Sequence, residues 1–86
     1  MRVRIPTPLR SYTAGAPVVE AAGTTVAEVL EDLDRQFPGM RFRVVDEQGA
    51  LRVHMKVFVR QESVRELSTA LDHDGEITLM QALSGG

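Results

Sequence analysis

One amphipathic stripe constrains this chain more than any other feature. Val26, Val29, Leu30, Leu33 and Phe37 recur at three- and four-residue spacing, which places them along one side of a helix over residues 25–37. Thr25 and Glu28 fit a capping box at its start, and Pro38 followed by Gly39 stops it. A helix with one apolar face must lay that face on another layer. The segments on either side of it carry strand patterns.

Residues 2–5, RVRI, alternate charged and apolar, so Val3 and Ile5 face inward and Arg2 and Arg4 outward. Pro6 and Pro8 end regular pairing or place it at an edge. SYTAGAP reads as a turn, and VVEAA at 18–22 as a second strand, giving an opening hairpin. After the helix, RFRVVDEQGALR reads as an irregular connection turning near Gly49. Leu51, Val53, Met55, Val57 and Val59 then occupy every second position, a strand with one apolar face; Arg52, His54, Lys56, Phe58 and Arg60 form the other. QESVRELSTAL is expected to be a short strand or turn followed by a helical turn. DHDG at 72–75 is a turn in which Gly75 is able to take positive φ. EITLM at 76–80 is the last strand, with Ile77 and Leu79 inward and Thr78 and Met80 outward. The order ββαβ(β)β predicts a two-layer α+β domain over 1–86, one main helix beside a mostly antiparallel sheet, with roughly 15–20 core side chains.

Composition removes several function classes. There is no cysteine, hence no disulfide framework, thiolate metal site or cysteine nucleophile. No apolar run approaches the roughly 20 residues of a membrane span, and MRVRIPTPLR lacks a secretory apolar region, so a cytoplasmic location is expected. A net charge of −2 argues against nucleic acid as the main partner. His54 and His73 stand apart in sequence and context and suggest no metal pair. The carboxylates offer no paired acid–base constellation, and no phosphate-binding glycine loop is present. Glu28, Glu31, Asp32 and Asp34 read as a solvated helix face.

The chain closes on LMQALSGG, a segment without charge, aromatic ring or proline. Residues 81–86 are expected to form a flexible tail leaving the last strand directly. Glycine at 85 and 86 leaves no side chain near the terminal carboxylate and permits close approach of backbone to another molecule. A frayed terminus is the plainer reading of the same residues.

Four stretches, VRIPTPLRSYTAG, TTVAEVLEDLDRQFPGM, KVFVRQESV and DGEITLMQALSGG, resemble in order the strand and hairpin, the helix with its Pro-Gly stop, the central strand and turn, and the closing strand with Gly-Gly terminus of the MoaD/ThiS-type ubiquitin-like sulfur carriers. The resemblance covers nearly the whole chain and is most specific at its end. Arg60 and Gln61 stand where the family often has Asn followed by an acidic residue or glycine, and Gln81 where proline is common.

The resemblance implies the β-grasp fold, with a mixed sheet and one main helix packed on one face. It also implies that an ATP-dependent activating enzyme adenylates the terminal glycine, Gly86. Sulfur transfer then makes a thiocarboxylate, from which a second enzyme draws sulfur for biosynthesis. Gly85, Ser84 and Leu83 are then the threaded segment that brings the terminal carboxylate to the activating site. The chain binds no cofactor of its own in this reading and is a protein co-substrate, not a catalyst. Its look is closest to the carriers of cysteine synthesis; the small subunit of molybdopterin synthase and a ubiquitin-like modifier forming isopeptide bonds are the alternatives. Phe58 and Met80, apolar on otherwise polar faces, are expected to form a partner-binding patch. Arg2, Arg4, Arg52, Lys56 and Arg60 would give it a basic rim.

Overall fold

The computed structural model describes residues 1–72 and 75–82. Its elements are β1 (Arg2–Arg4), a 3-10 helix (Thr7–Thr13), β2 (Val18–Glu20), α1 (Val26–Gln36), α2 (Met40–Val44), β3 (Met55–Val59), β4 (Glu62–Val64) and β5 (Glu76–Gln81). The five strands form one sheet in the order β2-β1-β5-β3-β4. β1 and β5 are parallel, Val3 opposite Ile77, and all other neighbours are antiparallel. The sheet is therefore mixed, and its one parallel pair joins strands from the two ends of the chain. This is the β-grasp architecture.

The expected inward residues form the core. Val3, Val57, Ile77 and Leu79 from the sheet join Val26, Val29, Leu30 and Leu33 from α1 in one buried cluster. Each such side chain stabilises the fold by about 1.5–3 kcal/mol relative to exposure. Sixteen apolar residues are buried among those described, which matches the sequence expectation.

The start of α1 is tied down by a segment far away in sequence. Thr25 Oγ1 accepts from the Glu28 N–H at 3.2 Å. The Glu28 carboxylate reaches one residue further back than a capping box requires, accepting from both the N–H and the hydroxyl of Thr24 at 2.8 Å. The N–H groups of Val26 and Ala27 have no intrahelical acceptor; they donate to the carbonyls of Thr69 and Leu67 at 3.2 and 2.8 Å. Residues 67–71 thus act as a backbone cap for α1, with Thr25 bridged to Ala70 and the Leu71 N–H on the Thr24 carbonyl. The helical turn expected in this region is a single turn closed by Thr69 N–H on the Glu66 carbonyl.

Three further local expectations are corrected. The PTPLRSYT stretch, read as strand end and turn, is a 3-10 helix that buries Leu9 and Thr13. Pro8 lies in its first turn, where a missing N–H costs nothing. The connection RFRVV contains α2, whose Met40 and Val44 are buried one turn apart. The strand predicted over 51–59 is regular only from Met55. Leu51 is buried through a bridge to Val45, and Val53 is 90% exposed. The Gly75 N–H donates to the Asp72 carbonyl at 3.0 Å, closing the chain back on itself ahead of β5. The remainder of the DHDG turn, His73 and Asp74, lies outside the described residues.

Gly23 is required for space. A Cβ there would stand 2.7 Å from the Val29 nitrogen and 2.9 Å from Glu28 backbone carbon, atoms of the helix itself that have nowhere to go. Gly23→Ala is expected to destabilise the domain by about 1–3 kcal/mol, the scale of overpacking, read as a lowered urea midpoint. A wild-type midpoint would refute this account of the turn.

Backbone donors also set the acid response. Thr24 holds the Glu28 carboxyl below its ordinary 4.5, and the Ala22 N–H, ahead of Gln36 and Arg35, holds Asp32 below 3.8. Groups depressed in the folded state stabilise it fully above their ordinary values, and that contribution is lost as pH falls through the folded values. The melting temperature should be level from pH 7 to about 5 and decline below about 4. Asp32→Asn should melt lower at neutral pH and lose less on acidification. Parallel acid limbs for the two proteins would contradict this.

Candidate functional site

The register of the sheet fixes what stands together on its outer face. Arg4 is opposite Thr78, Thr78 opposite Phe58, and Phe58 opposite Ser63, making one row across four strands. One step toward the end of β5, Lys56 is opposite Met80. Phe58 and Met80 are thus diagonal neighbours on adjacent strands, close enough for large side chains to form one surface. Phe58 is half-buried and outside the core cluster, and Met80 is 48% exposed. The patch inferred from parity is a real juxtaposition, with Lys56 and Arg4 beside it.

Its basic rim is less charged than parity suggested. Glu76 also points outward, and Arg4 Nε lies 3.0 Å and Arg2 Nε 3.9 Å from its carboxylate oxygens. Exposed pairs of this kind contribute at most about 1 kcal/mol to stability, but they cancel charge where β5 begins. Arg60 is in the β3–β4 turn at φ +58° and lies 3.5 Å from the Asp72 carboxylate. Arg52 is not on the sheet at all. It precedes β3, donates from Nε to the Phe42 carbonyl at 2.8 Å, and stacks its guanidinium 4.6 Å from the Phe42 ring centre. Lys56 remains as the exposed cation opposite Met80.

The base of the tail belongs to this end of the face. Gln81 pairs with Met55, and the Ala82 N–H donates to the His54 carbonyl at 2.7 Å. Beside it runs a groove of about 400 Å³ lined by Arg4, Pro6, Pro17, Thr78, Met80 and Gln81. It opens where β1 has ended and Pro6 has no N–H to offer β5. A hollow of about 840 Å³ between Val59, Glu62, Thr69 and Glu76 lies at the opposite end of the sheet, where β5 begins. Volume alone would favour that hollow, but position relative to the tail favours the groove. The expected loading residue Gly86 and the threaded Gly85, Ser84 and Leu83 lie outside the described residues.

Three of the four acids read as a solvated helix face have structural work. Besides Glu28 and Asp32, Asp34 Oδ1 accepts from the N–H groups of Gly39 and Arg41, both at 3.1 Å, and so fixes the turn between α1 and α2. Gly39 takes φ +97° there, and a Cβ at this position would stand 3.1 Å from the Tyr12 ring. Among the described residues no group of three His, Asp or Glu side chains is placed to hold a metal ion. Nor is any helix long and apolar enough to cross a membrane.

Comparison with known proteins extends over the same length. The sequence model of the ThiS family matches residues 3–86. The sulfur carrier protein CysO of Mycobacterium bovis is 34% identical over 89 residues, covering 98% of this chain and 96% of the relative. The crystal structure of the Amycolatopsis orientalis BexX/CysO complex contains a chain similar at TM-score 0.91 and 35% identity, with 99% of this chain and 98% of that chain covered. The small archaeal modifier protein SAMP1 of Haloferax volcanii is similar at TM-score 0.77 and 27% identity, with 99% and 97% covered.

The two faces of β3 give a direct test of the patch. Phe58→Asp should keep a cooperative transition, lowered by no more than about 1 kcal/mol for the loss of strand preference. Val57→Asp, which buries a carboxylate in the core, should abolish cooperative melting. A Phe58→Asp protein that is unfolded by circular dichroism would place Phe58 in the core and dissolve the patch.

Proposed function

The chain belongs to the ThiS family, and from that premise we propose that it is a sulfur carrier of cysteine synthesis or a related pathway, loaded at Gly86. The observation that carries the reading is similarity to sulfur carriers along the whole chain, through the closing glycines. A carboxylate resists attack by a sulfur nucleophile, so it must first be activated. Attack of the Gly86 carboxylate on the α-phosphorus of ATP expels pyrophosphate and leaves an acyl-adenylate. A sulfide-level donor then displaces AMP, forming the C–S bond of a thiocarboxylate. Both steps belong to an adenylyltransferase/sulfurtransferase partner. A biosynthetic enzyme takes the sulfur afterwards, and the carrier itself is a co-substrate. Absence of cysteine suits this chemistry, because no internal thiol competes for the activated acyl group.

The body contributes presentation. β5 is the middle strand of the sheet, so the tail departs from the most constrained part of the fold. Phe58, Met80 and Lys56 offer the partner an apolar centre with a cation beside it. Gly85 and Ser84 let the tail pass through a narrow channel, and Leu83 is the one sizeable side chain available to anchor it.

A protein modifier that forms isopeptide bonds is the second reading, and the likeness to SAMP1, a small archaeal modifier protein, supports it at the level of the fold. The greater identity and closer superposition with CysO favour the carrier. The molybdopterin synthase subunit has no such support among these relatives. Mass spectrometry after incubation with the activating enzyme, ATP and a sulfur donor separates the readings. The expected product is heavier by one sulfur for oxygen exchange; a ladder of protein adducts would replace the carrier with the modifier.

All the buried core residues described lie at or before Leu79. Deleting Gly86 should therefore leave the melting temperature unchanged and abolish loading. Gly85→Val should behave likewise, because a β-branched side chain both widens the tail and restricts its backbone. Normal adenylation of Gly85→Val would remove clearance as the reason for the glycine pair.

A further inference from the structure

Three large apolar side chains are exposed among the described residues: Phe42, Val53 and Met80. Met80 belongs to the sheet patch, but Phe42 and Val53 lie outside it, around Arg52. Phe42 is 56% exposed and yet held in place, by the Arg52 hydrogen bond to its carbonyl and the guanidinium over its ring. Val53, the next residue after Arg52, is almost entirely in solvent. Phe42, Arg43, Arg52 and His54 line a recess of about 290 Å³. His54 supplies the carbonyl that receives the Ala82 N–H, so the recess borders the root of the tail. Among the described residues neither Arg43 nor Arg52 is within ion-pair distance of a carboxylate; Asp46, whose carboxylate is held by the Ala50 N–H, meets Arg52 only at longer range.

The charge elsewhere makes this cluster directional. The protein carries net −2, and α1 presents Glu28, Glu31, Asp32 and Asp34. An acidic partner surface would therefore repel the body and attract this end, turning the molecule tail first. Resting on the carrier reading above, we propose that the Phe42–Arg43–Arg52–Val53–His54 surface docks an acidic segment of the adenylating enzyme at the rim of its tail channel. The site that receives the tail must also hold the phosphates of ATP and needs positive charge within. An acidic rim outside it supplies an orienting attraction that does not compete with the nucleotide. The rigid Phe42 ring and Val53 add apolar contact with little ordering cost. This surface is separate from the Phe58–Met80 patch and extends the contact around the tail from a second side.

The test uses the full chain, its adenylating enzyme and ATP, with pyrophosphate release as the readout. Both substituted side chains are exposed, so the Arg43→Glu, Val53→Asp double variant should melt as wild type does. Its KM as carrier should rise at least tenfold, with kcat within twofold. Wild-type KM should increase with ionic strength, and Arg43→Glu alone should flatten that dependence. Unchanged KM in the double variant would overturn the proposal. So would a defect confined to sulfur delivery to the accepting enzyme, which would assign the surface to the other partner. If wild type itself is not adenylated, the carrier reading fails and takes this docking site with it.

Discussion

The parallel pairing of β1 with β5 is the contact on which the rest of the structure depends. Val3 faces Ile77 across it, and both are fully buried. It joins the first residues of the chain to almost the last, so nearly the whole sequence is the crossover. Closing a loop that long costs only slightly more than closing one half its length, and the buried residues of α1 offset that cost as they cover the pair. The pairing also places β5 between β1 and β3. A tail continuing from β5 therefore has a braced strand behind it. Had β5 been an edge strand, the last residues could fray without disturbing the core.

The fold was legible where period and burial coincide. The α1 stripe, the inward parity of Val3, Ile5, Val57, Ile77 and Leu79, and the outward parity of Met80 all follow from one-sided burial in a small two-layer domain. Alternation misled at 51–54. Leu51 and Val53 have the strand period but lie before the ladder begins, and only Leu51 finds a buried place. Alternation in a connection carries no information unless a partner strand enforces it. The helix α2 escaped because five residues, MRFRV, give one i,i+4 apolar pair that reads equally well as alternation. Residues 67–71 gave no signal for capping α1, since they act through backbone carbonyls, which every sequence has.

The site was half legible for a related reason. Parity says which side of a strand a residue takes, and it placed Phe58 with Met80. It does not say which residues of other strands stand alongside. Glu76 neutralises Arg2 and Arg4 only because the β1–β5 register brings them level, and no local pattern reveals a register between strands more than seventy residues apart. Arg52 has outward parity but leaves the sheet because β3 begins three residues later, and it then finds the Phe42 ring.

These two corrections combine into an electrostatic gradient along the sheet. Where β5 begins, Arg2, Arg4 and Arg60 face Glu76 and Asp72. Where β5 ends, Lys56, Arg43 and Arg52 have no carboxylate at ion-pair distance among the described residues, and the exposed apolar side chains gather there too. Apolar area supplies affinity, and cations held outside ion pairs supply orientation. Both are concentrated around the root of the tail, while the opposite end is self-neutralised and has less to offer a partner. The proposed recognition surface and the root of the tail at Gln81 and Ala82 share one end of the molecule, and neither is needed to hold the core together.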